Sequence, residues 1–251
     1  MRAFYIITAF VALGCSQSQQ SNEQKKIVVL ISANAEWRVV KSVYPDANYQ
    51  TTPWGEYFEQ AISTANGKQP VLFFHEGWGK VAAAGATQYA IDRWNPELFI
   101  NLGTCGGFEA SVKRFEILLI DKTIIYDIKE AMGDSKEAIQ DYSASIDLSW
   151  LHAPDSIRKT LLVSGDRDLV PSEIPSLKEN YNAIAGDWET GAIAYTCQRN
   201  KKKLLVLRGV TDLVNEKGGE AYGKPEVFIN GTEVVMRKLL TDLPAWLTII
   251  K

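Results

Sequence analysis

Several acidic residues lie where a folded chain would present them to a ligand. Glu36 follows the apolar run 27–32, Asp168 follows 161–164, and Asp212 follows 204–207. Glu189 directly precedes a helical pattern of small residues in GDWETGAIAYTC (186–197). In open α/β sheets, ligands bind beyond the carboxyl ends of the strands. Although any one of these acids could serve as a helix cap, together they predict a pocket that handles hydroxyl groups and protons without a metal.

A glycine-rich stretch stands among these acids. NLGTCGG (101–107) comes at the end of the apolar run 98–102, and it is expected to form a turn in which Gly103 and Thr104 approach the ligand closely. Thr104 is equally compatible with simply satisfying the turn.

The elements that must hold these residues alternate between two hydrophobic patterns. Apolar runs of strand length occur at 26–32, 70–76, 97–103, 116–127, 160–166 and 203–212. Helical patterns occur at 79–94, 189–200 and 232–250. Several of the strand runs are apolar throughout, as expected for strands covered on both faces. The alternation predicts one α/β domain over residues 26–251, layered around a mostly parallel sheet.

Composition narrows the classes of partner. The chain has 251 residues, of which 46% are hydrophobic, and its net charge is −3. Without a basic surplus, a nucleic-acid partner is not expected. Two histidines and three cysteines, none at ligand spacing, predict no zinc site, and no cofactor is expected.

The N-terminus has the pattern of a bacterial export signal. In MRAFYIITAFVALGC, Arg2 precedes an apolar stretch from Ala3 to Leu13. At about 1.5 Å per residue this stretch is too short to cross a bilayer as a helix. ALGC resembles a lipobox, which predicts cleavage before Cys15, acylation of Cys15, and a polar tether over 16–25. The sequence thus predicts a periplasm-facing protein anchored to a membrane of the cell envelope; an ordinary cleaved signal or a buried first strand remain as alternatives.

Four motifs in this order and spacing carry a family resemblance: NLGTCGG, LLVSGD, DWETGAIAYTC and LRGVTD. They resemble the purine nucleoside phosphorylase/uridine phosphorylase superfamily, and within it the 5′-methylthioadenosine/S-adenosylhomocysteine nucleosidases. The resemblance covers about residues 27–215. It implies a three-layer α/β/α sandwich with a twisted, mixed central sheet, a small nucleoside as substrate, and a homodimer or larger homo-oligomer.

The resemblance also implies roles for particular residues. Glu189 corresponds to the glutamate that accepts hydrogen bonds from the ribose hydroxyls, and Asp212 to the aspartate that protonates the leaving purine. Glu36 corresponds to the glutamate that activates water, although shifting the match by one residue places Trp37 there instead. Thr104, after Gly103, falls near the ribose. Arg208 corresponds to the arginine that organises the acids.

Two positions, Trp188 and Asp168, depart from the family pattern. Trp188 stands where the nucleosidases have methionine under the ribose, and it could stack on the sugar or fill the core. Asp168 and Leu169 stand where relatives have an aromatic and an aliphatic residue beside the base. Asp168 could instead be a loop acid that faces solvent.

The motifs favour water over phosphate as the nucleophile. A phosphorylase must hold phosphate with arginines and backbone amides, and phosphorylases of the superfamily carry an arginine at the position of Asn101. SANAEWR (32–38) contains no glycine, although Arg38 is present. Hydrolysis of a purine nucleoside or thionucleoside is therefore expected. A phosphate-dependent enzyme and a non-catalytic nucleoside-binding lipoprotein remain as alternatives.

Overall fold

The computed structural model describes residues 26–250. The strands are β1 (Ile27–Ile31), β2 (Gln50–Thr51), β3 (Glu56–Thr64), β4 (Gly67–His75), β5 (Leu98–Phe108), β6 (Ile117–Ile125), β7 (Ala144–Ser145), β8 (Arg158–Ser164), β9 (Ala185–Asp187), β10 (Lys203–Asn215) and β11 (Gly218–Gly219). The helices are α1 (Asn34–Val43), α2 (Gly79–Trp94), α3 (Ser135–Asp141), α4 (Ile174–Tyr181), α5 (Thr190–Arg199) and α6 (Pro225–Thr248), with a 3₁₀ turn at Pro171–Glu173. None of these helices is both long and apolar enough to span a membrane. The predicted signal, tether and Cys15 lie outside the described residues.

The strands form one mixed sheet with a helical layer on each face. β1 pairs in parallel with β4 and β5, and β5 pairs in parallel with β10, whereas β3 runs antiparallel to β4. The side chains of β1 alternate between two core clusters. One cluster includes residues of α2 and α5, and the other includes residues of α1 and α6. Both faces of β1 are therefore covered, and all five of its residues are buried. This architecture confirms the predicted three-layer α/β/α sandwich.

The predicted glycine-rich turn is wrong, because that stretch lies inside a strand. β5 continues to Phe108, pairing with β10 along its whole length and with the short strand β9 at Gly106 and Gly107. A Cβ at Gly107 would lie 2.5 Å from Val112 and 2.6 Å from Val210, so glycine is required here by close packing. Since β10 also pairs with β6, β6 with β8, and β8 with β9, five strands close into a ring.

Arg208 and Asp212 likewise lie inside a strand and not at its end. β10 contains a bulge between Val210 and Asp212, where the register against β5 shifts by one residue. Arg208 pairs with Gly103, and Asp212 pairs with Gly106. Because side chains alternate along a strand, positions three apart on β5 face opposite sides of the sheet. The bulge therefore directs Asp212 to the face opposite Arg208.

Candidate active site

A cavity of about 650 Å³ opens where the ends of β5, β9 and β10 meet the first turns of α1 and α6. The sequence-predicted residues that line it are Glu36, Thr104, Asp168, Leu169, Trp188, Glu189 and Asp212. They come from segments that are far apart in the chain. The fold thus brings the three carboxyl groups of the sequence-based mechanism to one cavity.

Glu36 is held at the cavity by the local structure of α1. It lies in the first turn, where its Oε2 atom accepts a hydrogen bond from the Ala33 N–H at 3.0 Å. Its Oε1 atom accepts two more from Thr104, from N at 2.6 Å and from Oγ1 at 2.8 Å. Trp37 points the other way, into the core, and stacks on His75 with ring centroids 5.2 Å apart. Glu36, and not Trp37, therefore faces the cavity.

Gly103 does not line the cavity, in contrast to the expectation that it approaches the ligand, and Arg208 does not line the cavity either. Arg208 is fully buried beneath the cavity. Its guanidinium contacts Asp187 at 3.0 Å and donates hydrogen bonds to Thr190 and Asn101, each at 2.7 Å. A Cβ at Gly103 would lie 1.6 Å from Arg208 Nη1, so this glycine makes room for the guanidinium. Arg208 supports the residues around the site instead of reaching a ligand.

The two acids before α5 have different tasks. Asp187 caps the helix: it accepts hydrogen bonds from Thr190 N at 3.1 Å and from the Thr190 hydroxyl, and another from Ser164 Oγ at 2.6 Å. This leaves Glu189 free to face the cavity, where its Oε1 atom accepts the Gly79 N–H at 3.0 Å. Sequence reasoning did not include Asp187 in the site, although its spacing of three residues to Thr190 is typical of a cap.

Burial dominates the electrostatics of Glu189 and Asp212. It raises the pKa of Glu189 well above the usual 4.5, and the negative charge of Asp187 raises it further. Burial likewise raises the pKa of Asp212, against a hydrogen bond of 2.6 Å from Thr211 Oγ1 that lowers it. The negative charge of Asp168 adds to the rise at Asp212. A buried carboxyl in such surroundings can hold a proton and release it to a reacting group.

The cavity has two distinct ends. At one end, Glu36 and Glu189 lie near Arg208. Burial lowers the pKa of Arg208, but the charges of Asp187, Glu36 and Glu189 together raise it above its usual value. At the other end lies Tyr222, which also lines the cavity; burial raises its pKa, and the charges of Asp168 and Asp212 raise it further.

An aromatic pair lies beside Glu189, and only one of its members, Trp188, was predicted from the sequence. Trp188 lies against Trp78, with ring centroids 5.6 Å apart and planes inclined by 34°, and both rings line the cavity. Trp78 is 62% exposed and sits between Gly77 and Gly79, whose φ angles are +88° and +83°. Sequence reasoning passed over Trp78, although two glycines flanking a tryptophan are a visible sign of an unusual backbone.

A buried acid behind the cavity was also missed. Glu76 is fully buried at the end of β4, where it accepts hydrogen bonds from Ser32 Oγ at 2.8 Å and Thr87 Oγ1 at 3.3 Å. Burial raises its pKa to about 8. No local pattern marks it, because its partners lie on β1's C-terminal side and on α2.

Comparisons with known proteins agree with this architecture. Residues 26–240 match the family model of the phosphorylase superfamily. The 5′-methylthioadenosine/S-adenosylhomocysteine nucleosidase of Thermotoga maritima is 27% identical over 169 residues, covering 67% of this chain and 76% of the relative. The enzyme of the same name from Staphylococcus aureus is 29% identical over 181 residues, covering 65% and 76%.

Solved structures of such nucleosidases share the fold. The Streptococcus pneumoniae nucleosidase in complex with 8-aminoadenine superposes with a TM-score of 0.72 at 16% identity, covering 90% of this chain and all of that one. The Neisseria meningitidis nucleosidase in complex with methylthio-immucillin-A gives a TM-score of 0.68 at 18% identity, covering 89% and 98%.

Proposed function

Because the chain belongs to the phosphorylase superfamily, we propose that it hydrolyses the N-glycosidic bond of a purine nucleoside or thionucleoside to a free base and a sugar. The observation that carries this proposal is the convergence of Glu36, Glu189 and Asp212 on one cavity. The names of the relatives favour a substrate of the methylthioadenosine or S-adenosylhomocysteine type.

The three carboxyl groups match the charges that the reaction develops. As the bond between C1′ and the base nitrogen breaks, the sugar becomes cationic and the base anionic. Asp212, whose pKa is raised, donates its proton to the departing base. Glu189, in its charged form, accepts hydrogen bonds from the sugar hydroxyls and stabilises the cationic sugar.

Glu36 completes the reaction at the sugar. A water molecule attacks C1′, the new C–O bond forms, and Glu36 accepts the proton that the water loses. The contacts from Ala33 and Thr104 fix the carboxylate of Glu36 before substrate arrives. Such preorganisation places Glu36, the general base, without further rearrangement. Trp188 and Trp78 form an apolar wall beside the sugar end, next to Glu189.

Two arginines at or beneath the cavity are paired with acids, which favours water over phosphate as the nucleophile. Arg208 is bound to Asp187, and Arg167, which lines the cavity, forms a salt bridge with Glu173. Arg38 is the remaining lining arginine among the described residues, and it is exposed. One exposed guanidinium is a poor match to the several donors by which proteins hold inorganic phosphate.

The test is release of free base from a panel of purine nucleosides, measured by chromatography with and without inorganic phosphate. Hydrolysis predicts release that does not depend on phosphate. Release that requires phosphate would identify a phosphorylase, and nucleoside binding without release would identify a binding protein. Glu36→Gln, Glu189→Ala and Asp212→Asn should each lower turnover, whereas Glu59→Gln, on exposed β3 surface, should not.

We further propose that Cys15 anchors the mature chain to the bacterial envelope and that the chain forms a homodimer or larger homo-oligomer. The lipobox-like sequence ALGC supports the anchor. Membrane fractionation of wild type and Cys15→Ser tests it, since only the wild type should sediment with membranes. Light scattering of the soluble variant measures the oligomeric state.

A further inference from the structure

The first turn of α2 reaches the active site through its backbone. The Gly79 N–H donates to Glu189 Oε1 at 3.0 Å, and the next N–H, that of Lys80, donates to Asp166 Oδ1 at 2.7 Å. The position of this turn therefore decides whether the Glu189 carboxylate keeps its hydrogen bond.

Three charged side chains hold this turn in place. The Lys80 ammonium contacts Asp127 Oδ1 and lies 4.0 Å from Asp166 Oδ2. Asp127 in turn accepts a hydrogen bond from Asp166 N at 2.9 Å through its other oxygen. We call Lys80, Asp127 and Asp166 the Lys80 cluster. It connects α2 to the segments that follow β6 and β8, and its residues are absent from the cavity lining.

The surroundings of Glu189 are otherwise unfavourable to its charged form. Asp187 on β9 and Glu36 on α1 carry like charges, and burial removes water. Arg208 on β10 carries the opposite charge, but it is already paired with Asp187. The Gly79 N–H donates a hydrogen bond directly to the Glu189 carboxylate, and such a bond favours the ionised state.

We propose that Lys80, Asp127 and Asp166 are positioning residues, which hold the Gly79 N–H against Glu189 and so keep that carboxylate charged for the sugar hydroxyls. The change in turnover that we expect from this inference rests on the proposed function. The expected change in the ionisation of Glu189 does not. A partly exposed ion pair contributes little to stability. Loss of the cluster should therefore change the ionisation of Glu189 more than the stability of the fold.

The kinetic test uses Lys80→Met and Asp166→Ala, with Asp166→Asn as the conservative variant because its amide oxygen can still accept the Lys80 N–H. Lys238→Met is the matched control, since it removes a lysine paired with Asp242 on α6. Charged Glu189 is lost as pH falls through its pKa, so the acid limb of kcat/KM reports it. In Lys80→Met and Asp166→Ala this limb should move to higher pH by about one unit. It should move less in Asp166→Asn and stay unchanged in Lys238→Met.

A direct titration separates this inference from the proposed function. Infrared difference spectra of protein with ¹³C-labelled glutamate, assigned by subtracting Glu189→Gln, follow the Glu189 carboxyl without any substrate. The midpoint should move to higher pH in Lys80→Met and Asp166→Ala. If wild type released no base from any nucleoside, the proposed function would fail, and this titration would still decide the role of the cluster.

Two results would overturn the inference. One is an unchanged Glu189 midpoint in folded Asp166→Ala or, if that variant does not fold, in Lys80→Met. The other is a loss of kcat/KM by the same factor at every pH, which would mean that the cluster serves structure alone.

Discussion

Replacing Glu76 with glutamine should stabilise the protein strongly in alkaline solution and only slightly in acidic solution. Glu76 is fully buried, and its pKa is raised from 4.5 to about 8, mainly by desolvation. The folded protein therefore binds this proton more tightly than the unfolded chain does. As pH rises from 4.5, the unfolded chain releases the proton first, and the free energy of unfolding falls until the folded state also releases it, at about pH 8.

The structure sets the size of this effect. At about 1.4 kcal/mol for each pH unit, the interval from 4.5 to about 8 corresponds to roughly 5 kcal/mol, and about 4 kcal/mol of it falls between about pH 5 and pH 9. Glutamine has nearly the shape of a protonated glutamate and carries no charge. It can accept from Ser32 Oγ through its carbonyl oxygen while its amide faces Thr87, the partners that Glu76 has now.

The assay is chemical denaturation of wild type and Glu76→Gln at several pH values between 5 and 9. Other titrating groups are common to both proteins, so the difference between their free energies of unfolding isolates Glu76. That difference should grow by roughly 4 kcal/mol in favour of glutamine across the range. Glu59→Gln, which alters an exposed glutamate, should show no such trend. A Glu76→Gln difference that stayed constant with pH would refute the assignment of Glu76 as a buried, protonated acid.

Other substitutions test the site itself. Asp212→Asn removes the proton donor and should lower kcat by about 10² to 10⁴-fold in base-release assays while leaving the denaturation midpoint near wild type; an active variant would contradict its role. Arg208→Met leaves Asp187 buried without its cation and should lower the free energy of unfolding by roughly 3–5 kcal/mol, an effect that Asp187→Asn should partly reverse in the double variant. Gly103→Ala places a methyl group 1.6 Å from Arg208 Nη1 and should destabilise the protein by about 1–3 kcal/mol in thermal unfolding; unchanged stability would mean that the guanidinium has room to move.

The layered fold was predictable because its central strands are continuous apolar runs. β1 and β10 are buried on both faces, and strands of this kind are recognised in a sequence as runs of apolar residues. The antiparallel strand β3 was not found. Its buried and exposed residues alternate only in part, and its partner β4 was identified without it. Helix α1 was missed as well, since its short apolar face includes the acid Glu36.

The site was predictable where an acid lay next to a recognisable element, as with Glu189 before α5. It was not predictable where a role depends on a distant partner. Glu76 meets Ser32 and Thr87 only in the folded protein. The glycines of β5 predicted a turn for a physical reason: a turn and a tightly packed strand both need a residue without a Cβ, and sequence alone does not distinguish them.

The bulge in β10 has a consequence for judging relatives of this chain. The direction of Asp212 is determined by one inserted residue between Val210 and Asp212. A homologue with the same residues but no bulge would pair its aspartate with the position of Gly107 instead of Gly106, which would turn that side chain to the face of Arg208. Counting the expected acids in such a homologue would overstate its competence as an enzyme, because the strand register that orients the acids matters as much as their presence.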